Sequence, residues 1–408
     1  MNSDGAPDFL KRPFWILGVV FAASCADAPP PPGAWTGHAA IADDQLLPIS
    51  AHLNLVDDPP SGYFLVGNER TEIPEIVFTG DSLRLVFAEY GAEMAGRVTG
   101  DRFAGKYTRF RTDTTSFPFV LFWEPEPPAQ SVEARHLSGT YQVYFHYPDR
   151  IDSSSVSVLT SKDDEVTGTI IHPSGDYGLL EGHFDGTRLR LARFTGWQAI
   201  LLDLEATTAG LEGNLYSRAE PPVPITFRPA PEDAREHGAI TRMRNPNVPF
   251  RFAGVTIEGD SVTSEDPQFQ GNPIVIDVMG TWCHNCLDAA PLFEKAWKNH
   301  RDKGLQVVSL SFEITDDFEA ARKNIGLFVR RFNTSFPVLF CGSLAEENVN
   351  ERLHSQLEDF FSYPTTLFID RTGKVVDIHT GFNGPGTGAE RYEGQVRRFE
   401  DAVRRITG

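Results

Sequence analysis

The sequence predicts a multidomain chain: an all-β N-terminal region, built as a duplicated meander or barrel, followed by one α/β domain. Three observations predict it. Residues 34 to 230 hold many short alternating runs separated by Gly, Asp and Pro, the pattern of half-buried strands. Two stretches of that region echo each other. Beyond residue 248 an apolar, β-branched run turns directly into a helix-periodic segment across Trp282-Cys283-His284-Asn285-Cys286.

At 408 residues the chain is too long for one ordinary domain. It begins with a targeting segment. Lys11-Arg12 precedes an apolar stretch, Phe14 to Ala23, too short to span a bilayer but right for the apolar part of a signal peptide. Ala22-Ala23-Ser24-Cys25 then looks like a bacterial lipobox, with Ala22 standing where Leu is commonest. Residues 1–24 are therefore read as a lipoprotein-type signal peptide and Cys25 as the lipidated residue, against the plainer reading of a cleaved signal with an incidental cysteine. Residues 25–33, with Pro29 to Pro32, suit a tether. Either reading places the protein outside the cytoplasm, in the cell envelope and, with the lipid, on a membrane. The net charge, 37 − 56 = −19, argues against nucleic acid and against electrostatic binding to an anionic membrane surface.

The β-rich region divides into residues 34–128 and 129–230. Phe78-Thr79-Gly80-Asp81-Ser82-Leu83-Arg84-Leu85 in the first half answers Phe184-Asp185-Gly186-Thr187-Arg188-Leu189-Arg190-Leu191 in the second. Trp35-Thr36-Gly37 and Leu137-Ser138-Gly139-Thr140-Tyr141 open the two copies, and Pro125 to Pro128 lie between them. Two small barrels or sandwiches, or one larger closed sheet, fit this pattern, and closure would remove exposed strand edges. His136, His146, His172 and His183 lack ligand spacing. Tyr141, Tyr144, Phe145, Tyr177, Phe184, Phe194 and Trp197 are read as core, a minority of them lining a binding cleft. The region is expected to recognise a partner or to act as a spacer. Residues 231–247 read as a linker.

In the last domain, residues 248–408, Ile274 to Met279 is a buried strand and Gly280-Thr281 a turn. Leu287, Ala290, Phe293, Ala296 and Trp297 then recur at helical spacing until Gly304 stops the segment. Cys283 and Cys286 thus sit at a helix N-terminus, where dipole and free amides stabilise a thiolate. Cys-x-x-Cys can also be half of a zinc site, but no second half-site is present in the sequence, so no metal is assigned.

Here the chain resembles the thioredoxin superfamily, and more closely its membrane-tethered TlpA/ResA-like branch. Asp277 lies six residues before Cys283, where thioredoxins carry a buried acid, and Pro291 lies five after Cys286, matching a helix-kinking proline. Tyr363-Pro364-Thr365-Thr366-Leu367-Phe368 matches the segment holding the family's cis-proline, and Glu313 falls where this branch often carries an active-site glutamate. The resemblance implies a thiol–disulfide oxidoreductase with no cofactor beyond its Cys283–Cys286 pair, most readily a reductase of partner proteins fed by a dithiol electron donor.

On that reading Cys283 attacks and Cys286 resolves the mixed disulfide. Asp277, with a raised pKa, moves the proton of Cys286; Glu313 is a second candidate for that role or a strand-end surface acid. Tyr363, preceding Pro364, pairs with substrate backbone. Trp282, His284 and Asn285 tune the potential: a protonated His284 would favour thiolate and a more oxidising pair, and Asn285 stands where Pro is usual. Cys341 is read as a buried strand-end thiol, the sharper reading being a third redox cysteine. Two other functions compete: a binding lipoprotein acting through its β-rich region, and a thiol peroxidase, disfavoured because Gly280 occupies the place of the peroxidatic signature's threonine.

Overall fold

The computed structural model describes residues 30–110, 114–124, 137–162, 165–217, 221–237 and 240–408. The leader 1–24, Cys25, most of the tether, His136 and the junction Pro125 to Pro128 lie outside the described residues. Among the described residues no helix is long and apolar enough to cross a membrane.

The first β unit runs β1 (Gly33–Ala42), β2 (Gln45–Asn54), β3 (Ser61–Val66), β4 (Glu69–Glu72), β5 (Glu75–Thr79), β6 (Ser82–Phe87), β7 (Ala92–Thr99), β8 (Arg102–Arg109) and β9 (Thr115–Trp123). It is an antiparallel sheet in the order β4-β3-β2-β1-β9-β8-β7-β6-β5. Alternation builds it: Leu83, Leu85 and Phe87 of β6 point inward while Ser82 and Arg84 face out. Gly37 is required where β1 crosses β9, because a Cβ there would stand 2.0 Å from the Val120 carbonyl oxygen.

The second unit repeats the plan with β10 (Gly139–His146), β11 (Ile151–Lys162), β12 (Glu165–His172), β13 (Gly175–Asp176), β14 (Leu180–Phe184), β15 (Arg188–Phe194), β16 (Ala199–Thr207), β17 (Gly210–Ser217) and β18 (Val223–Ala230). Strand for strand the order matches that of the first unit, with one difference. Here β12 pairs with β14 as well as β11, closing an eight-stranded barrel. In the first unit β3 and β5 do not pair; one backbone bond, from Ile73 N–H to the Gly62 carbonyl, spans that side.

The two units share a core. Ala199 to Leu204 is buried at every position. Ile200, Leu202 and Leu204 fill the barrel with Leu189 and Leu191, while Ala199 and Leu201 point outward with Ala192 and Phe194. The Phe194 ring meets Phe64 of the first unit edge-on at 5.1 Å. A strand buried on both faces explains the apolar run Ala199 to Leu202 among alternating neighbours.

The C-terminal domain adds β19 (Arg242–Met243), β20 (Ala253–Val255), β21 (Ser261–Thr263), β22 (Ile274–Met279), α1 (His284–His300), β23 (Gln306–Glu313), α2 (Phe318–Phe332), β24 (Val338–Ser343), α3 (Glu346–Val349), β25 (Leu357–Glu358), β26 (Thr365–Ile369), β27 (Val375–Thr380) and α4 (Ala389–Thr407). Its seven-stranded sheet has the order β21-β20-β24-β23-β22-β26-β27, parallel at β22–β23 and β23–β24 and antiparallel at β22–β26. Along β22, Val275 and Met279 pack with residues of α1, α2 and α4, whereas Ile274, Ile276 and Val278 face a second core with Leu353, Leu357 and Phe360. The segment read as a linker is tied down here, β19 pairing with β25.

Candidate active site

Cys283 caps α1 and is joined to Cys286 by a disulfide. The Cys286 N–H points at the Cys283 Sγ at 3.2 Å, the arrangement that stabilises a thiolate once the bond is reduced. Cys286 is fully buried and Cys283 is 5% exposed. Across from the pair the Tyr363–Pro364 peptide bond is cis, and Cys283 Sγ lies 3.3 Å from the Tyr363 carbonyl oxygen. Trp282 is fixed by its Nε1–H, which donates to the Phe312 carbonyl at 2.8 Å, and its ring meets Tyr363 edge-on.

Asp277 shares the face of Val275 and Met279, the side on which α1 lies. It is 1% exposed, and one carboxylate oxygen accepts from Ser309 Oγ at 2.9 Å while the other is buried without a partner among the described residues. Burial pushes its pKa up to about 7, with the Ser309 bond pulling the other way. Glu313 is fully buried as well, which corrects the surface-acid alternative. Its carboxylate accepts from the Thr281 N–H at 3.1 Å, the Thr281 hydroxyl at 2.7 Å and the Ser311 hydroxyl at 2.5 Å. It therefore braces the turn leading into Cys283, and burial raises its pKa against those bonds.

His284 departs from the protonated reading. Its ring is buried, and burial, followed by the nearby Arg193 and Arg331 guanidiniums, holds its pKa well below the usual 6.5. Its Nε2 lies 3.2 Å from an oxygen of Asp288. The Asp288 carboxyl is pushed well above its ordinary range by burial and then by Asp176 and Glu69, although 21% of its side chain still meets solvent. Both groups are thus biased toward their neutral forms.

Cys341 lies on the opposite face of the sheet from the pair, in the core with Leu339 and Leu353. Burial pushes its thiol up to about 12, so it carries no thiolate at neutral pH. This geometry does not bring it to Cys286.

The unexpected part of the site comes from the barrel. The Gly175 backbone lies against the Asn285 side chain, so close that a Cβ at Gly175 would fall 1.7 Å from Asn285 Nδ2. Gly175 also bridges to Phe382, Asp176 accepts from the Gly384 N–H at 2.5 Å, and the Ser362 hydroxyl donates to the Ser174 carbonyl at 3.0 Å. The tip of the β15–β16 hairpin places Trp197 between two rings, Tyr90 of the first unit at 5.0 Å and His284 at 5.3 Å. Beneath it, Arg193 is 1% exposed and binds both Glu69 carboxylate oxygens at 2.8 Å, the Leu179 carbonyl and Gln198. A cleft of about 360 Å³ remains between barrel and disulfide. Of the aromatics read as core, Tyr177 and Trp197 line it; Tyr141, Phe145 and Phe184 pack inside the barrel. Sequence reasoning missed Gly175, Asp176, Arg193 and Gln198, and the one available signal was a tryptophan at a hairpin tip.

Residues 247–378 match the model of the AhpC/TSA family. The thioredoxin-like protein YneN of Bacillus subtilis is 30% identical over 132 residues, covering 32% of this chain and 68% of YneN. The thiol-disulfide oxidoreductase ResA of Bacillus thuringiensis is 27% identical over 125 residues, covering 31% of this chain and 63% of ResA, just under two thirds of that protein. Among solved structures, a thiol:disulfide interchange protein DsbE from Chlorobium tepidum aligns with 38% of this chain and 93% of its own at 24% identity and a TM-score of 0.28.

Proposed function

The chain belongs to the thioredoxin superfamily, in its ResA-like branch, and from that premise we propose that it is an extracytoplasmic thiol–disulfide oxidoreductase that reduces the disulfides of partner proteins. The observation that carries this reading is Cys283 at the N-terminus of α1, disulfide-bonded to Cys286 and 3.3 Å from the carbonyl of a cis Tyr363–Pro364 bond. In the reduced protein the Cys283 thiolate attacks one sulfur of the partner disulfide. That bond breaks, the departing sulfur takes a proton, and a mixed disulfide forms. Cys286 then gives its proton to Asp277 and attacks Cys283, releasing the second partner thiol. The partner gains two electrons and two protons. A dithiol donor, itself oxidised, restores the pair.

The neutral bias of His284 supports the reductive direction, because an uncharged imidazole beside Cys283 adds no charge to stabilise the thiolate and make the pair a strong oxidant. Lys11-Arg12, the short apolar stretch and Cys25 support a lipid-anchored location in the cell envelope. A second reading, a thiol peroxidase, draws on the AhpC/TSA match, but Gly280 stands where the peroxidatic motif needs threonine.

The test is the reduction potential of the pair, measured in thiol buffers on the protein from residue 34. A value near about −270 mV or below supports a reductase, and one near about −120 mV makes the protein an oxidant. Asp277 adds a pH signature. A carboxyl raised from 3.8 to about 7 on folding favours the folded state most at acid pH; up to about 4 kcal/mol is lost as the pH climbs from 4 through 7. Asp277→Asn flattens that slope and slows resolution about 100-fold or more. Unchanged resolution by the variant would reduce Asp277 to a core acid.

A further inference from the structure

We propose that the barrel supplies the second wall of the thiol-exchange site, and that the cleft it forms admits a disulfide cysteine on an extended, uncharged peptide segment in preference to one on a folded protein surface. The proposal rests on the reading of Cys283–Cys286 as a redox dithiol and names the class of substrate for that site.

Cys283 is 5% exposed, and the cleft is lined on the barrel side by Gly175, Tyr177, Trp197, Gln198, Ile200 and Ser217. Trp282 and Tyr363 line the other side. At about 360 Å³ the space sits at the small end of ligand pockets, which run from about 300 to 1,000 Å³. It takes a short stretch of chain. A folded partner docking face-on needs roughly 800 Å² of its own surface against a complementary face, and the barrel stands where that face would be.

The wall is fixed at several points. Ser362 holds Ser174, Phe382 bridges Gly175, Asp176 takes the Gly384 amide, and Trp197 is held between the Tyr90 and His284 rings. Among the described residues lining the cleft there is no Lys or Arg, and the one acid, Asp176, is 6% exposed and turned into the Gly178 and Gly384 amides. The described lining thus offers no cation to the carboxylates of a small anionic disulfide such as glutathione disulfide, and a net charge of −19 repels it. An uncharged peptide segment meets neither obstacle, and Ser217 offers a polar group along its path.

The test compares three disulfides against the dithiothreitol-reduced protein by stopped flow: one on a short uncharged peptide, one on the surface of a folded protein, and glutathione disulfide. The peptide is expected to lead in kcat/KM by more than about tenfold. Ser217→Trp fills the cleft from the barrel side and should lower the peptide rate about tenfold or more while the reduction potential stays at the wild-type value. Ser217→Leu makes the same test if the tryptophan variant does not fold. Equal rates for peptide and folded protein overturn the proposal. So do a lead for glutathione disulfide and a cleft-filling variant that folds and slows nothing. Absence of any reversible two-electron couple would instead overturn the redox reading beneath it.

Discussion

In the first β unit the hairpin joining β6 to β7 carries Tyr90 at its turn; in the second the matching hairpin, β15 to β16, carries Trp197. The two rings stack on each other, but only Trp197 goes on to touch the Cys-x-x-Cys segment. A second matching pair behaves the same way. The chain after β3 turns into β4 and presents Glu69 to Arg193 of the barrel. The chain after β12 turns into β13 and presents Gly175 to Asn285 of the C-terminal domain. One topology used twice gives two connectors, the first joining sheet to barrel and the second joining barrel to disulfide. Closure goes with this division. The closed copy has β12 paired on both sides, so β13 extends from a fixed strand and its position over the dithiol is set by the barrel ladder. The lesson is that a duplicated β unit acquires a role through what its hairpin tips meet, while the strand order stays unchanged.

The sharpest way to break the first connector is Arg193→Ala. It empties a buried site and strips the partner from Glu69, whose side chain keeps 26% exposure, and should cost about 3 kcal/mol in chemical unfolding. Replacing both partners by apolar residues, Arg193→Met with Glu69→Leu, should cost far less, because no uncompensated charge remains. A single-mutant loss no larger than the double-mutant loss would mean the ion pair does not hold the units together.

Trp197→Ala and Tyr90→Ala separate the two tips. Removing Trp197 should cost about 3 kcal/mol and let the His284 imidazole, which titrates well below 6.5 in the intact protein, move up toward 6.5 by NMR. Removing Tyr90 should lower stability but leave the His284 titration in place. Equal His284 shifts in both variants would erase the distinction between the copies.

The smallest effects are at the turns. Gly175→Ala forces a side chain onto Asn285 at a backbone φ of +127° and should cost about 2 kcal/mol. Gly67→Ala, at the matching turn of the first unit, meets the Leu179 side chain at 3.0 Å and a Glu181 carboxylate oxygen at 3.5 Å, and should cost about 1 kcal/mol. Reversal of that order would place the tighter contact in the wrong copy.

Much of the dithiol's own half was legible because its signals are local. Five apolar residues between Ile274 and Met279, a Gly-Thr turn and helical spacing after Cys286 place the pair without any tertiary information. The offset of Asp277 and the Tyr-Pro-Thr-Thr segment drew on the family resemblance. The strand alternation and the paired Gly-Asp turns also made an all-β, repeated region readable. The barrel's half was not readable, because its residues obey ordinary strand rules. Arg193 reverses the polar–apolar alternation of β15, taking the parity of Leu189 and Leu191, but nothing local names Glu69 or the disulfide as what it serves, and Trp197 resembles any core aromatic. The apolar run Ala199 to Leu202 departs from alternation as well, and it reports a strand buried on both faces rather than the disulfide beyond it. The protonation state of His284 was hidden for the same reason, since Arg193 and Arg331 lie far from it in sequence.

The most direct test of a site shared by barrel and dithiol is to trap it. A Cys286→Ser protein, unable to resolve, is loaded at Cys283 with a short uncharged peptide carrying a photocrosslinker beside its cysteine, and the adducts are mapped by mass spectrometry. Crosslinks are expected in the two barrel segments Ser174 to Tyr177 and Trp197 to Gln198. Crosslinks confined to the C-terminal domain would contradict it and leave the barrel as a spacer.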